Sequence, residues 1–206
     1  MTASSVDGGN LMPPGGPPDE ELLFSFVKGQ SSAFDELLRR YEQRIYRFLR
    51  RLVSSRQEAE DLFQETFARV CEHAASFTGR GPFRRWLYTI ALNVWRARGR
   101  KTRPTEVPID ETTAPASDCP DPAEAAHRTE VSEYIAEATA SLPPSQREVF
   151  IMKVYEQITF REIAEILGRP IPTVKSQMML AVQKLRPLLE RLADVDEMHG
   201  RARHGR

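Results

Sequence analysis

Between Phe83 and Arg98 arginines and aromatic rings alternate on what reads as one helix: Arg84, Arg85, Tyr88, Trp95, Arg96 and Arg98. Rings offer π-faces to unstacked bases and guanidinium groups neutralise phosphates, so this mixture suits a single nucleic-acid strand. From spacing alone, Tyr88 and Trp95 fit packing against a neighbouring helix equally well. A second constellation is acidic: Glu58, Glu60, Asp61, Gln64 and Glu65 share the outer face of a helix. Taken alone it fits a solvated first turn, where the helix dipole favours carboxylates. The third is a capped helix at Thr159, Gly168 at a turn, and an amphipathic helix opened by Pro172. Such a pair places a recognition helix in a duplex major groove, although a plain helical hairpin would share the pattern.

These groups need helices to hold them, and the apolar periodicity supplies them. Asp19 is a plausible cap for a helix over 20–28, which Gly29 ends. Phe34, Leu37, Leu38, Tyr41, Ile45, Phe48, Leu49 and Leu52 give a second, and Ser55 with Glu58 a capping box for a third. The third, with Ala59, Leu62, Phe63, Thr66, Phe67 and Val70 inward, should end near Ala75; Cys71 reads as a small core residue. Two glycines and Pro82 make 76–82 a loop. In the helix that follows, Phe83, Trp86, Leu87, Ile90, Ala91 and Val94 should face the core, with Tyr88 and Leu92 outward. A weaker helix is expected over 122–140, then helices over 146–156, from Phe160 to Leu167, and from Pro172 to about Leu192. The expected fold is all-α. It comprises two small helical bundles, over 19–103 and 130–193, joined by a flexible Pro-rich acidic linker over 104–129. A disordered lead-in (1–18) and tail (194–206) flank them.

The net charge is zero, yet it is unevenly distributed. Residues 31–103 carry 16 Lys or Arg against 8 Asp or Glu, and 104–141 carry 1 against 9. A basic bundle beside an acidic tether suggests a polyanion surface, and the tether is expected to fold back on that bundle when no larger partner is bound. No apolar run approaches the ~18–20 residues of a membrane span, and residues 1–18 lack the apolar core of a secretory signal. A cytoplasmic address and no membrane insertion are expected. Cys71 and Cys119 form no CxxC pair, and His73, His127, His199 and His204 show no ligand spacing. No metal, cofactor or catalytic residue is expected, and the chain does not read as an enzyme.

Together these stretches resemble the extracytoplasmic-function (ECF) sigma factors of bacterial RNA polymerase. The first set is Ala33-Phe34-Asp35-Glu36-Leu37, the run Glu58 to Phe67, and Phe83-Arg84-Arg85-Trp86-Leu87-Tyr88-Thr89-Ile90-Ala91-Leu92-Asn93. The second is Leu142-Pro143-Pro144 with Arg147-Glu148-Val149, then Glu162 to Gly168 and Thr173-Val174-Lys175-Ser176. The resemblance implies that Asp61, Gln64 and Glu65 dock on the clamp helices of core RNA polymerase. It implies that the 76–82 loop, with Arg80, Arg84, Arg85, Tyr88, Trp95, Arg96, Arg98 and Arg100, opens and reads the minus-ten element of promoter DNA. Thr173, Lys175, Ser176 and Gln177 would read the minus-thirty-five element as duplex, and the linker would thread the polymerase active-site region. It also implies an anti-sigma factor as partner and a monomer when free.

The chain departs from the family at three places. Gln177, Met179 and Leu180 stand where basic residues usually continue the recognition helix, Pro172 replaces a frequent Gly, and Ala97 replaces a frequent Asp. Two readings follow: Gln177 reads an adenine edge with the apolar pair on thymine methyls, or Met179 and Leu180 form a protein-docking patch. A stand-alone helix–turn–helix regulator and a degenerate sigma-like decoy are the competing functions.

Overall fold

The computed structural model describes residues 16–101 and 135–203. The acidic linker over 104–129, and with it the expected fold-back of its carboxylates, lies outside the described residues, as does most of the lead-in. The described residues form helices and loops without a strand: α1 (Asp19–Val27), α2 (Ser31–Leu52), α3 (Arg56–His73), a single 3-10 turn (Ala74–Ser76) and α4 (Phe83–Lys101) make the first unit. Residues 135–140 are helical, and α5 (Pro144–Val154), α6 (Phe160–Leu167) and α7 (Ile171–Arg203) make the second.

The first core forms where the 3.6-residue stripes meet. Leu37, Ile45, Phe48, Leu49 and Leu52 of α2 close on Leu62 and Val70 of α3 and on Phe83, Leu87 and Ala91 of α4. Fully burying such a side chain is worth about 1.5–3 kcal/mol. Of the two capping boxes expected from the sequence, the one at Ser55 forms only its serine half and the one at Thr159 is complete. Ser55 Oγ accepts the Glu58 N–H at 3.4 Å. Thr159 Oγ1 accepts the Glu162 N–H at 3.2 Å, while Glu162 accepts the Thr159 N–H at 2.9 Å, a complete capping box. Gly168 closes α6 in the left-handed region at φ +61°, which a glycine adopts without a Cβ clash.

Several expectations need correction. Pro18, not Asp19, occupies the N-cap of α1, because the Asp19 carboxylate turns away to Arg40 and Tyr41. Cys71 is exposed: at its end of α3 the buried stripe follows Val70 and Ala74, about 100° around the helix. Tyr88 and Leu92 are buried, while Trp86 and Ile90 are only half-buried. The stripe of α4 is wider than the sequence suggests because α4 is covered twice, by its own bundle and by α6. The tail expected from Asp194 is helical through Arg203, since Leu188-Leu189-Glu190-Arg191-Leu192-Ala193 are strong helix formers with no breaker before Gly200.

The two units do not stand apart. α5 packs on α2 and α6 on α4, and one apolar cluster runs from Leu22 through Val94 into Val149, Ile151, Met152, Ile163 and Val174.

Candidate nucleic-acid and polymerase interface

The loop after α3 ends at Pro82 and delivers the first turn of α4. Together they enclose an open cleft of about 180 Å³. Phe77, Thr78, Arg80, Gly81, Trp86 and Thr89 are among its walls, and Arg85 also lines it with its guanidinium beside Gly81. The rings of Phe77 and Trp86 meet tilted at 5.3 Å and 55°, and Phe83 backs Trp86 at 5.9 Å. An aromatic wall beside two guanidinium groups can take a planar base and its phosphate. Of the residues lining it, the sequence points to Arg80 and Arg85 and to the 76–82 loop as a whole; Trp86 is expected in the core, and Thr89 carries no signal.

Along the rest of α4 the expected DNA-facing residues meet carboxylates of the second unit. Glu156, 3% exposed, lies at the centre. Its Oε2 accepts the Tyr88 hydroxyl at 2.5 Å and Arg44 Nε at 3.0 Å. Its main-chain carbonyl accepts Arg44 Nη2 at 3.0 Å and Arg84 Nη2 at 2.7 Å. Glu148 Oε2 accepts Arg96 Nε and Nη2 at 3.0 and 2.7 Å. Arg169 Nη1 lies 2.7 Å from the other oxygen, an ion pair without hydrogen-bond alignment. Arg85 pairs with Glu165. Arg147 reaches back to cap α2, donating to the Leu52 carbonyl at 2.9 Å.

Tyr88 thus packs edge-on against Phe48 at 4.9 Å, with ring planes at 72°, which is the packing alternative rather than the base-stacking one. Burial, reinforced by the Glu156 carboxylate, pushes its hydroxyl well above the ordinary tyrosine value. Trp95 is half-buried against the core. The side chain of Arg100 lies outside the described residues.

The acidic face of α3 is linked to α4. Asp61 Oδ2 accepts Arg98 Nη2 at 2.7 Å and Oδ1 accepts Gln57 Nε2 at 3.2 Å, and these bonds hold the Asp61 carboxyl below its ordinary value. Gln64 is exposed, and Glu65 pairs with Arg69. On α7, Thr173, Lys175 and Ser176 are exposed. Gln177 is half-buried, its Oε1 accepting Arg169 Nη1 at 3.0 Å. Met179 and Leu180 are 64% and 41% exposed, so the apolar pair does stand on the outer face.

The sigma-70 region 2 family model matches residues 37–105, and the sigma-70 region 4 model matches residues 132–185. The chain is 33% identical over 174 residues to the ECF RNA polymerase sigma factor SigW of Bacillus subtilis, covering 80% of this chain and 93% of that protein. This chain belongs to the ECF sigma factors. It is also 33% identical over 182 residues to SigE of Mycolicibacterium smegmatis, covering 85% of this chain and 70% of that one. Among solved structures it resembles the sigma factor RpoE of Bartonella quintana, crystallised with the anti-sigma factor NepR. There the TM-score is 0.61 and the identity 25%, with 76% of this chain and 96% of that chain covered. As an ECF sigma factor, the chain binds core RNA polymerase and directs promoter-specific transcription initiation; it is not an enzyme.

Proposed function

We propose a division of labour within that activity. The cleft between the 76–82 loop and α4 captures an unstacked base of the minus-ten strand, with Phe77 and Trp86 as its apolar wall and Arg80 and Arg85 on the phosphates. Flipping a base costs a few kcal/mol, which stacking and polar contacts offset. The helix–turn–helix of α6 and α7 reads the minus-thirty-five duplex through Thr173, Lys175, Ser176 and Gln177. Asp61, Gln64 and Glu65 dock on core polymerase. The boundaries at 19–103 and 130–193 bracket the two working units, and the cytoplasm, where polymerase acts, is the place of work.

The observation that carries this reading is the cleft itself, an aromatic and cationic pocket at the mouth of a loop. The arrangement described here is closed: Arg44, Arg84, Arg85, Tyr88 and Arg96 are held by α5, α6 and the turn between them. DNA and the second unit compete for the same side chains, so promoter binding requires the units to part. A protein partner that grips both units, as an anti-sigma factor would, stabilises the closed form. The match to RpoE, captured with such a partner, supports that part of the reading.

The test is reconstitution with core RNA polymerase and run-off transcription from genomic fragments, using the wild-type chain, Arg80→Ala and Trp86→Ala. Initiation by the wild type that falls in both variants, with polymerase binding retained, supports the cleft. Full initiation by both variants would remove it from promoter reading.

A further inference from the structure

A helix begins with backbone N–H groups that lack intrahelical partners, and a side-chain oxygen at the N-cap usually takes one of them. α4 has no such oxygen of its own, because Pro82 precedes Phe83. The acceptor comes from 63 residues away: Glu20 Oε1 of α1 takes the Phe83 N–H at 2.7 Å. One helical turn on, Phe24 holds the other end of the same loop. Its ring lies 5.8 Å from that of Phe77 and covers Gly79, where a Cβ would come within 3.3 Å of Phe24 Cζ. Gly79 sits at φ +69°, so both its backbone and its lack of a side chain are used. Glu20 and Phe24 are four residues apart and therefore share one face of α1.

α1 is itself firmly seated. Leu23 is fully buried and Leu22 nearly so. Asp19 accepts Arg40 Nη1 at 2.7 Å and the Tyr41 hydroxyl at 2.5 Å, and Arg40 also donates to the Pro17 carbonyl. Tyr41 in turn packs edge-on against Phe83 at 5.4 Å. A rigid short helix thus grips a loop at its start, through Phe77 and Gly79, and at its end, through Phe83. Between those grips lie Arg80, Gly81 and Pro82, which line the cleft. α1 lies ahead of the segment that the region 2 family model matches, which begins at residue 37.

We propose that α1 is the positioning element of the base cleft, with Glu20 and Phe24 as positioning residues that set its shape without touching the base. The proposal rests on the reading of that cleft as the base-binding site. Glu20 acts as an acceptor rather than as a charge, so an amide at this position keeps the function.

The test uses the full chain bound to core RNA polymerase, with fluorescent single-stranded oligonucleotides carrying the mapped minus-ten sequence or a wrong base at one position at a time. The measured quantity is the ratio of affinities, matched over mismatched, alongside the affinity for polymerase. Glu20→Ala is expected to lower the ratio at one position about fivefold, the effect of losing one helix cap, and Phe24→Ala to lower it at the same position. Polymerase affinity stays within about twofold, and Glu20→Gln keeps the wild-type ratio. Full discrimination by Glu20→Ala, while Trp86→Ala loses it, would overturn the positioning role and leave base reading intact. Parallel loss of discrimination and polymerase affinity in both Glu20 variants would also overturn it, by reducing α1 to a general stabiliser. Unchanged discrimination in Trp86→Ala would remove the base-reading cleft and this proposal with it.

Discussion

Replacing Glu156 tests whether the closed arrangement is held by the ion-pair seam. In Glu156→Ala the Tyr88 hydroxyl and Arg44 Nε lose their shared carboxylate acceptor, at 2.5 and 3.0 Å in the wild type. Removing one partner of a buried charge pair costs about 3–5 kcal/mol. Arg44 keeps 28% exposure and recovers some hydration, and the two bonds to the Glu156 carbonyl survive any side-chain change. The lower end, about 3 kcal/mol, is the working figure, a shift of about a hundredfold toward the open form. Glu156→Gln retains an uncharged acceptor and should shift it by about tenfold. Dyes on Cys71 and on a Lys175→Cys position, with Cys119→Ser, report the separation of the units by energy transfer. Both labelled positions are exposed. The expected result is lower transfer and tighter binding of minus-ten single strand by the free chain, graded Ala above Gln. Unchanged transfer and unchanged strand affinity in Glu156→Ala would refute the reasoning.

Thr159→Ala removes the Oγ1 half of the α6 capping box and should cost about 1 kcal/mol in urea unfolding of the full chain; Thr159→Ser should restore it. Tyr41 and Tyr88 have hydroxyls raised from the ordinary 10.0, in both cases chiefly by burial and then by a carboxylate, Asp19 or Glu156. The folded chain keeps those protons where the unfolded chain releases them. Their contribution to stability is therefore complete below pH 10 and declines as pH rises above it. Ultraviolet titration should show these two ionising only above the ordinary tyrosine value, with Tyr88 moving earlier in Glu156→Ala. Gln177→Ala should lower selectivity for the minus-thirty-five duplex by about 1–3 kcal/mol in competition binding, and unchanged selectivity would leave Met179 and Leu180 as a protein-facing patch. Joint replacement of Asp61, Gln64 and Glu65 by Ala should weaken polymerase binding in a pull-down titration while leaving the helical circular-dichroism signal unchanged.

Much of this architecture was legible in local pattern. The α2 stripe, the Thr159 box and the Gly168 turn each follow from residues within one or two helical turns, where sequence spacing and space coincide. The seam was not, because its bonds join residues such as Arg44 and Glu156, 112 positions apart. Read locally, Glu148, Glu156 and Glu165 are ordinary polar positions on short helices and turns. Tyr88 shows the cost: four residues after Arg84 and eight before Arg96, it looks like part of an outward nucleic-acid face until Phe48 and Glu156 are placed against it. Acidic residues are densest in the linker, so the sequence points there for the negative partner of the basic bundle. The described carboxylates that meet α4, those of Glu148, Glu156 and Glu165, are spread over α5, the turn after it and α6. The cleft was half legible, since two glycines and Pro82 announced a loop, while Phe77 and Trp86 gave no hint of sharing a wall.

The turn after α5 places the Glu156 carbonyl between two guanidinium groups, and the next residue, Gln157, adopts φ +54°. Arg44 and Arg84 therefore grip a bend in the peptide chain as well as an acidic side chain. A bend has no identity at position 156 to be lost by mutation; it depends on a neighbour that tolerates the left-handed region. Docking of the halves therefore rests on this bend as well as on the carboxylate, and glycine or asparagine in place of Gln157 would hold the bend with less strain. A β-branched residue there would loosen the joint while leaving every charge in place.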